Sequence, residues 1–403
     1  MSENQQQKQY SMHWIVLLAL FTSLGPLSID MYLPALPEMA DHFGVTTQRI
    51  ANSLPAYFFG LAVGQLFYGP ISDKIGRKKP LYFGMGLYAV ASLLCVFAPN
   101  DLSLFAARVL QALGGCVGVV MARAAIRDKL DLNTSAQAFA NMMIVMGLAP
   151  IIAPLLGAWV LHFFEWQAVF IVLSAIGATL FLCVHFFFDE TLPVERRLSL
   201  NIKQVILLYS SILQDRTFRL PMWAGCLTGA ALFSYISSAA SVFMDQFQIE
   251  REIFAYLFGF NALGIIILSS LNKRLAKKLS IHQRLTIGGI IQVSGSLLLF
   301  ILGCMNEPIF VLMMIGLFMT VAGIGFTGPN SMALAMAQQG ARAGTASAIM
   351  GSVQFAFGLF SGVILNFLIG TPLLKMGALM LIFTTAGFIA ILKLNKMSKN
   401  QSA

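Results

Sequence analysis

Read along its length, the chain is a succession of apolar runs, each about as long as the 20 residues a helix needs to cross the hydrocarbon layer of a bilayer. Short polar breaks separate them. Twelve runs are predicted as spanning helices, at residues 14–35, 50–71, 80–98, 102–124, 137–162, 166–187, 219–243, 253–272, 283–304, 308–333, 343–368 and 371–393. Only one break is long, 188–218, and it carries charges of both signs. The predicted fold is an all-α integral membrane protein: an N-terminal six-helix bundle over 1–187, a cytoplasmic linker over 188–218 and a C-terminal six-helix bundle over 219–403. Two sets of six suggest pseudo-symmetric halves. A faint echo supports this, because Asn272-Lys273 with Lys277 and Lys278 follows run eight much as Asp73-Lys74 with Lys78 and Lys79 follows run two.

Composition sharpens the picture. Hydrophobic residues make up 58% of the 403 and charged ones 11%, with a mean hydropathy of +0.78, whereas a soluble domain carries about a quarter charged residues. Lipid is the expected solvent. The loop lysines and arginines all fall on one side of the predicted topology except Arg49, Arg251 and Lys375. Basic loops stay cytoplasmic, so both termini are predicted inside a bacterial cytoplasmic (inner) membrane. Topology thereby accounts for the net charge of +9, and no nucleic-acid partner is implied. Cys95, Cys116, Cys183, Cys226 and Cys304 fall inside runs without a CxxC pair, which implies neither a metal site nor a disulfide framework. The polar start "MSENQQQKQYSMHW" leads into an apolar run without a small-residue cleavage site, so the first run is read as a retained helix.

The stretch "GQLFYGPISDKIGRKKP", Gly64 to Pro80, turns from apolar to basic around one acid, Asp73. A topology-anchoring basic loop explains the cations but not Asp73. Inside the runs charge is scarce, with Asp30 in run one and Arg108 in run four as the clear exceptions. Each costs about 2.5–3.5 kcal/mol at a helix centre on insertion scales, so such residues face a bundle interior or watery cavity and mark function. A carboxyl in an apolar setting favours its protonated form, and an approaching cation favours the ionised one. Asp30 is therefore a candidate proton switch, its proton displaced by an arriving cation or by Arg108, with an end-of-span position near Pro34 as the plain alternative. Arg108 capping carbonyls inside the bundle is the plain alternative for the arginine. In run five, "GLAPIIAPLLGA" repeats Gly147, Pro150, Pro154 and Gly157 along one face, a packing seam with a bend. Run eleven repeats Gly344, Gly351 and Gly358 every seven residues, followed by Gly362.

Gly69-x-x-x-Asp73-x-x-Gly76-Arg77-Lys78 resembles the signature between helices two and three of the major facilitator superfamily. "PLSIDMYLPALP" and "GQLFYGPISDKIGRK" together resemble its bicyclomycin/chloramphenicol resistance (Bcr/CflA) branch of drug:proton antiporters. The resemblance implies a cytoplasmic latch formed by Gly69, Asp73, Gly76, Arg77 and Lys78, with Asp73 facing the start of run eleven after "GARAGT". It implies a proton-coupling role for Arg108, followed on the same face by Gln111, and an antiporter seam in run five, where Ala153 and Ala158 replace the usual glycines. Spans expected to face the centre supply Tyr32, Tyr57, Gln111, Phe233, Tyr235 and Asn261 as cavity candidates.

No HExxH, GxSxG or Walker-type glycine loop occurs, so an enzyme or ATP-driven pump is not expected. No cofactor and no metal are implied. The reading is a monomeric secondary transporter exchanging drug-like small molecules for protons by alternating access within the lipid bilayer. Export of a small metabolite of sugar or amino acid type, or proton-coupled uptake, is the alternative.

Overall fold

The computed structural model describes residues 12–130, 132–197, 201–339 and 342–402. The first six long helices are α1 (Met12–Asp30), α4 (Ser53–Ile75), α5 (Lys78–Val96), α6 (Asp101–Lys129), α7 (Leu132–Phe163) and α8 (Gln167–Phe187). Two short helices, α2 (Leu36–Phe43) and α3 (Thr47–Ile50), connect α1 to α4. The linker contains α9 (Ile202–Gln214). Then follow α10 (Arg216–Ala240), α11 (Arg251–Leu275), α12 (Ile281–Gly303), α13 (Phe310–Ala322), α14 (Ile324–Met336), α15 (Ala343–Phe367) and α16 (Pro372–Ser402). Among the described residues eleven helical stretches are long and apolar enough to cross a membrane, and α7 adds the apolar segment Leu148–Phe163.

Local chemistry sets the helix ends. Asn100 and Ser103 exchange bonds at the start of α6, and Ser280 with Gln283 does the same for α12, each satisfying amide donors that a helix start leaves open. Asn201 with Gln204 starts α9 by the same device. The first span changes helix type on its way: α1 ends at Asp30, Pro34 enters a 3-10 turn, Leu33–Ala35, and α2 carries the helical stretch on to Phe43. Predicted run ten is two helices, α13 and α14, parted at Gly323. Glycine is the weakest helix former after proline, and here its backbone lies against Gln292.

Packing divides the long helices. α6 lies between α4 and α5, α8 packs on α5, and α7 packs on α1; further on, α16 lies against α10 and α12, while α14 and α15 flank α10. The two sets meet along α4 with α15 and along α7 with α11. On the side holding most of the cations, hereafter the basic side, Arg77 reaches Asp128 and Glu190. At the opposite side Glu38 of α2 pairs with Arg251 of α11 at 3.5 Å.

Candidate functional site

Arg108 is fully buried in the middle of the first helix set. Its guanidinium lies 4.4 Å from the Tyr32 ring centre and 4.3 Å from that of Tyr57, with Phe170 at 5.7 Å. Nη1 donates to Gln111 Oε1 at 2.5 Å and Nη2 to the Ser28 carbonyl at 2.8 Å. Aromatic faces attract a desolvated cation by about 2 kcal/mol each, so this box holds the charge without a counter-anion. Gln111 shares the face of Arg108, as its spacing predicts. Its other end donates to Ser92 Oγ of α5 at 2.8 Å, tying α6 to α5.

Asp30, the last residue of α1, is 3% exposed, and its Oδ1 has no hydrogen-bond partner. No ion pair involves it among the described residues. The following 3-10 turn touches α10 and α11 of the second set, and Asp30 lies within electrostatic reach of Tyr235 on α10. Arg108 thus sits in its aromatic box, and Asp30 forms no ion pair among the described residues.

The remaining cavity candidates fall into two groups. Tyr32 and Tyr57 form the walls of the arginine box; the Tyr32 hydroxyl bonds Ser53 at 2.8 Å and that of Tyr57 has no partner. Facing them from the second set, Tyr235 stacks on Phe258 with centroids 5.1 Å apart, and its hydroxyl accepts from Asn261 Nδ2 at 3.2 Å. The Asn261 Oδ1 is buried without a partner. Phe233 joins Phe58 at 4.8 Å and Phe355 at 5.7 Å, an aromatic cluster spanning both sets.

On the basic side, Gly76 ends α4 at φ +93, a left-handed backbone that a side chain would strain. A Cβ there would also run into the Glu190 carboxylate. Gly69 faces open space. Arg77 Nη1 donates to Asp73 Oδ1 at 2.6 Å and to Ser72 Oγ at 2.7 Å, and its Nε donates to Asp128 Oδ2 at 2.9 Å. Burial works against the charged guanidinium, but Asp128 and then Asp73 outweigh it and hold Arg77 above its ordinary value. Lys78 donates its backbone N–H to Glu190 and its Nζ to the His185 carbonyl. Asp73 thus meets Arg77 one helical turn on, while residues 340–341, ahead of α15, lie outside the described residues. Arg127 packs against Gly344 and Arg123 Nη1 donates to Ser347 Oγ at 3.0 Å. Asp128 and Glu190 carry no sequence signal beyond being acids beside basic residues.

Residues 18–363 match the model of the Major Facilitator Superfamily. The chain belongs to the major facilitator superfamily. It is 34% identical to an uncharacterized MFS-type transporter, YdgK, of Bacillus subtilis (strain 168), over 96% of both chains. A bicyclomycin resistance protein homolog of Haemophilus influenzae is 29% identical over 89% of both. The crystal structure of a D-xylose-proton symporter superposes with a TM-score of 0.72, covering 95% of this chain and 97% of that one at 13% identity, which is likeness of fold. The protein is a multi-pass membrane transporter and not an enzyme.

Two faces of this transporter follow the sequence repeats. In α7, Pro154 and Gly157 are buried, Pro150 is half-buried, and Gly157 lies against the Met31 carbonyl just past α1. The side chains of 132–147 lie outside the described residues, and Gly147 with them. In α15, a Cβ at Gly344, Gly351, Gly358 or Gly362 would meet Arg127, Gln65, Phe58 or Pro55 respectively. All four partners belong to the first helix set, so the seven-residue repeat marks the line along which α15 approaches α4 and the end of α6.

Proposed function

We propose that this transporter exports drug-like compounds in exchange for protons, with Asp30 as the proton carrier and Arg108 as the fixed charge that shapes its surroundings. The observation that carries the reading is Asp30 itself: a nearly inaccessible carboxyl at the end of α1, with an unpartnered oxygen and no cation beside it. A lone carboxyl in that setting is kept neutral by the cost of burying charge, and gives up its proton when a cation or a polar group arrives to replace it. Cargo and proton then compete for one place, which is the linkage an exchanger requires.

Residues 1–187 and 219–403 would rock about the α4–α15 and α7–α11 contacts, with both termini in the bacterial cytoplasm. Tyr32, Tyr57, Phe233, Tyr235 and Asn261 would bound the path with aromatic area and few fixed polar groups, which suits varied amphipathic cargo. Relatives named for bicyclomycin and multidrug resistance support the same cargo class.

The test uses inside-out membrane vesicles with an acid lumen. Adding bicyclomycin, chloramphenicol or a lipophilic cation should release lumenal protons, and Asp30→Asn should abolish the release. Release that survives in the variant would mean another group carries the proton. No release with any compound would return the chain to metabolite export.

A further inference from the structure

A proline inside a helix removes one amide donor and leaves the carbonyl four residues earlier without its usual partner. In α4 the proline is Pro70, and the orphaned carbonyl is that of Leu66. The Tyr209 hydroxyl, from the linker helix α9, donates to that carbonyl at 2.8 Å. α9 itself is anchored to the second half: Ile212 is fully buried among Phe218, Met222 and Cys226, with Leu208 and Tyr209 beside them. Burial, and then the nearby Asp73 charge, push the Tyr209 hydroxyl up to about 12, so it keeps its proton and remains a donor at neutral pH.

The same device occurs once more, inside one half. Pro329 of α14 orphans the Gly325 carbonyl, and Asn272 Nδ2 of α11 donates to it at 3.2 Å. That bond joins two helices of the second set, whereas the Tyr209 bond joins the linker and second half to the first. Nearby, Ser352 Oγ of α15 donates to the Ala62 carbonyl at 2.7 Å. Ala62 keeps the Leu66 N–H as a helical partner, so losing Ser352 leaves nothing orphaned, and losing Tyr209 does.

We propose that Tyr209 is a positioning residue for the movement of the two halves. It supplies the donor that Pro70 removes, and so holds the basic-side end of α4, with the Asp73–Arg77 loop, against the linker until that bond breaks. The role does not depend on which compound is carried or on proton coupling.

Labels for pulsed electron paramagnetic resonance at Lys79→Cys and Lys277→Cys, both exposed on the basic side, would read the separation of the halves in the full chain in lipid nanodiscs, with Cys183 and Cys304 replaced by Ser. Tyr209→Phe, which deletes one oxygen, should raise the ratio of wide to narrow separations about fivefold, the effect of one net hydrogen bond. Pro70→Ala restores the amide donor of α4, so Tyr209→Phe in that background should leave the ratio unchanged. An unchanged ratio in the native background would overturn the proposal. So would an equal shift in both backgrounds, which would assign the effect to packing and not to the orphaned carbonyl.

Discussion

The ends of α4 and α11 close the second helix of each six-helix set, and each meets an arginine at the start of the next helix, but in different company. Arg77 lies between two carboxylates, Asp73 and Asp128. Arg284 donates to an amide, Asn272 Oδ1, at 2.9 Å, and the same oxygen accepts from Asn330 Nδ2 at 3.1 Å. This amide-centred cluster stays within its own bundle, since Asn272 Nδ2 also donates to the Gly325 carbonyl. The ionic one keeps an exposed member: the Asp73 side chain is 40% exposed, which we propose leaves it free to exchange partners when the halves move. On that reading one frame carries a fixed joint in the second half and an adjustable one in the first.

Removing the arginines should break the comparison most visibly. Arg77→Ala strands Asp128, whose side chain is only 15% exposed, beside Asp73, and should cost about 3 kcal/mol because an uncompensated buried charge remains. Arg284→Ala removes a bond to a neutral group and should cost about 1 kcal/mol. Thermal unfolding of both variants in one detergent measures the difference; equal losses would mean that the carboxylates contribute nothing special.

Exchanging the acid for the amide sharpens it. Asp73→Asn should lower stability by less than about 1 kcal/mol, the range of a solvent-screened pair, yet slow vesicle transport of a fluorescent cargo. Asn272→Asp gives Arg284 a carboxylate but removes the donor to the Gly325 carbonyl, so it should lower stability by about 1 kcal/mol while leaving transport close to native. Normal transport in Asp73→Asn would remove the adjustable role from the first-half loop.

The smallest effect concerns pH. Burial raises the Glu190 carboxyl, but the N–H groups of Arg77, Leu192, Lys78 and Thr191 prevail and hold it below its ordinary value. Its contribution is therefore present above the ordinary carboxylate range and lost as pH falls through the depressed value. The difference in unfolding midpoint between the native chain and Glu190→Gln should stay constant from about pH 8 to about pH 5.5 and shrink below about pH 4. A difference that grows on acidification would reverse the assignment.

Part of the site is legible in sequence because its cost is local. Asp30 and Arg108 stand out in apolar runs for the same reason that they are expensive there, and Asp73 with Arg77 is one helical turn of spacing. The partners are not legible. Arg77 meets Asp128 and Glu190 across 51 and 113 residues, and nothing near Leu66 announces Tyr209, 143 residues on. The linker, read as a simple break, contains α9, because its apolar residues Ile206, Leu207 and Ile212 sit in a run too short for a span. The break after Asp30 is hidden for a related reason: apolar residues continue past it, and the 3-10 turn around Pro34 lies inside the same run.

What the sequence alone determined is how many segments cross the membrane, where charge is tolerated and which helices bear small-residue faces. Lipid imposes those choices segment by segment, since each spanning helix must satisfy its own backbone and bury its own apolar surface. Only the tertiary structure decided that Arg108 rests in a box of tyrosines and leaves Asp30 unpaired, and that the carbonyl orphaned by Pro70 is served from the other half. Those facts depend on which distant helices touch, and inside a bilayer close packing and matched hydrogen bonds select among contacts that the apolar pattern cannot tell apart.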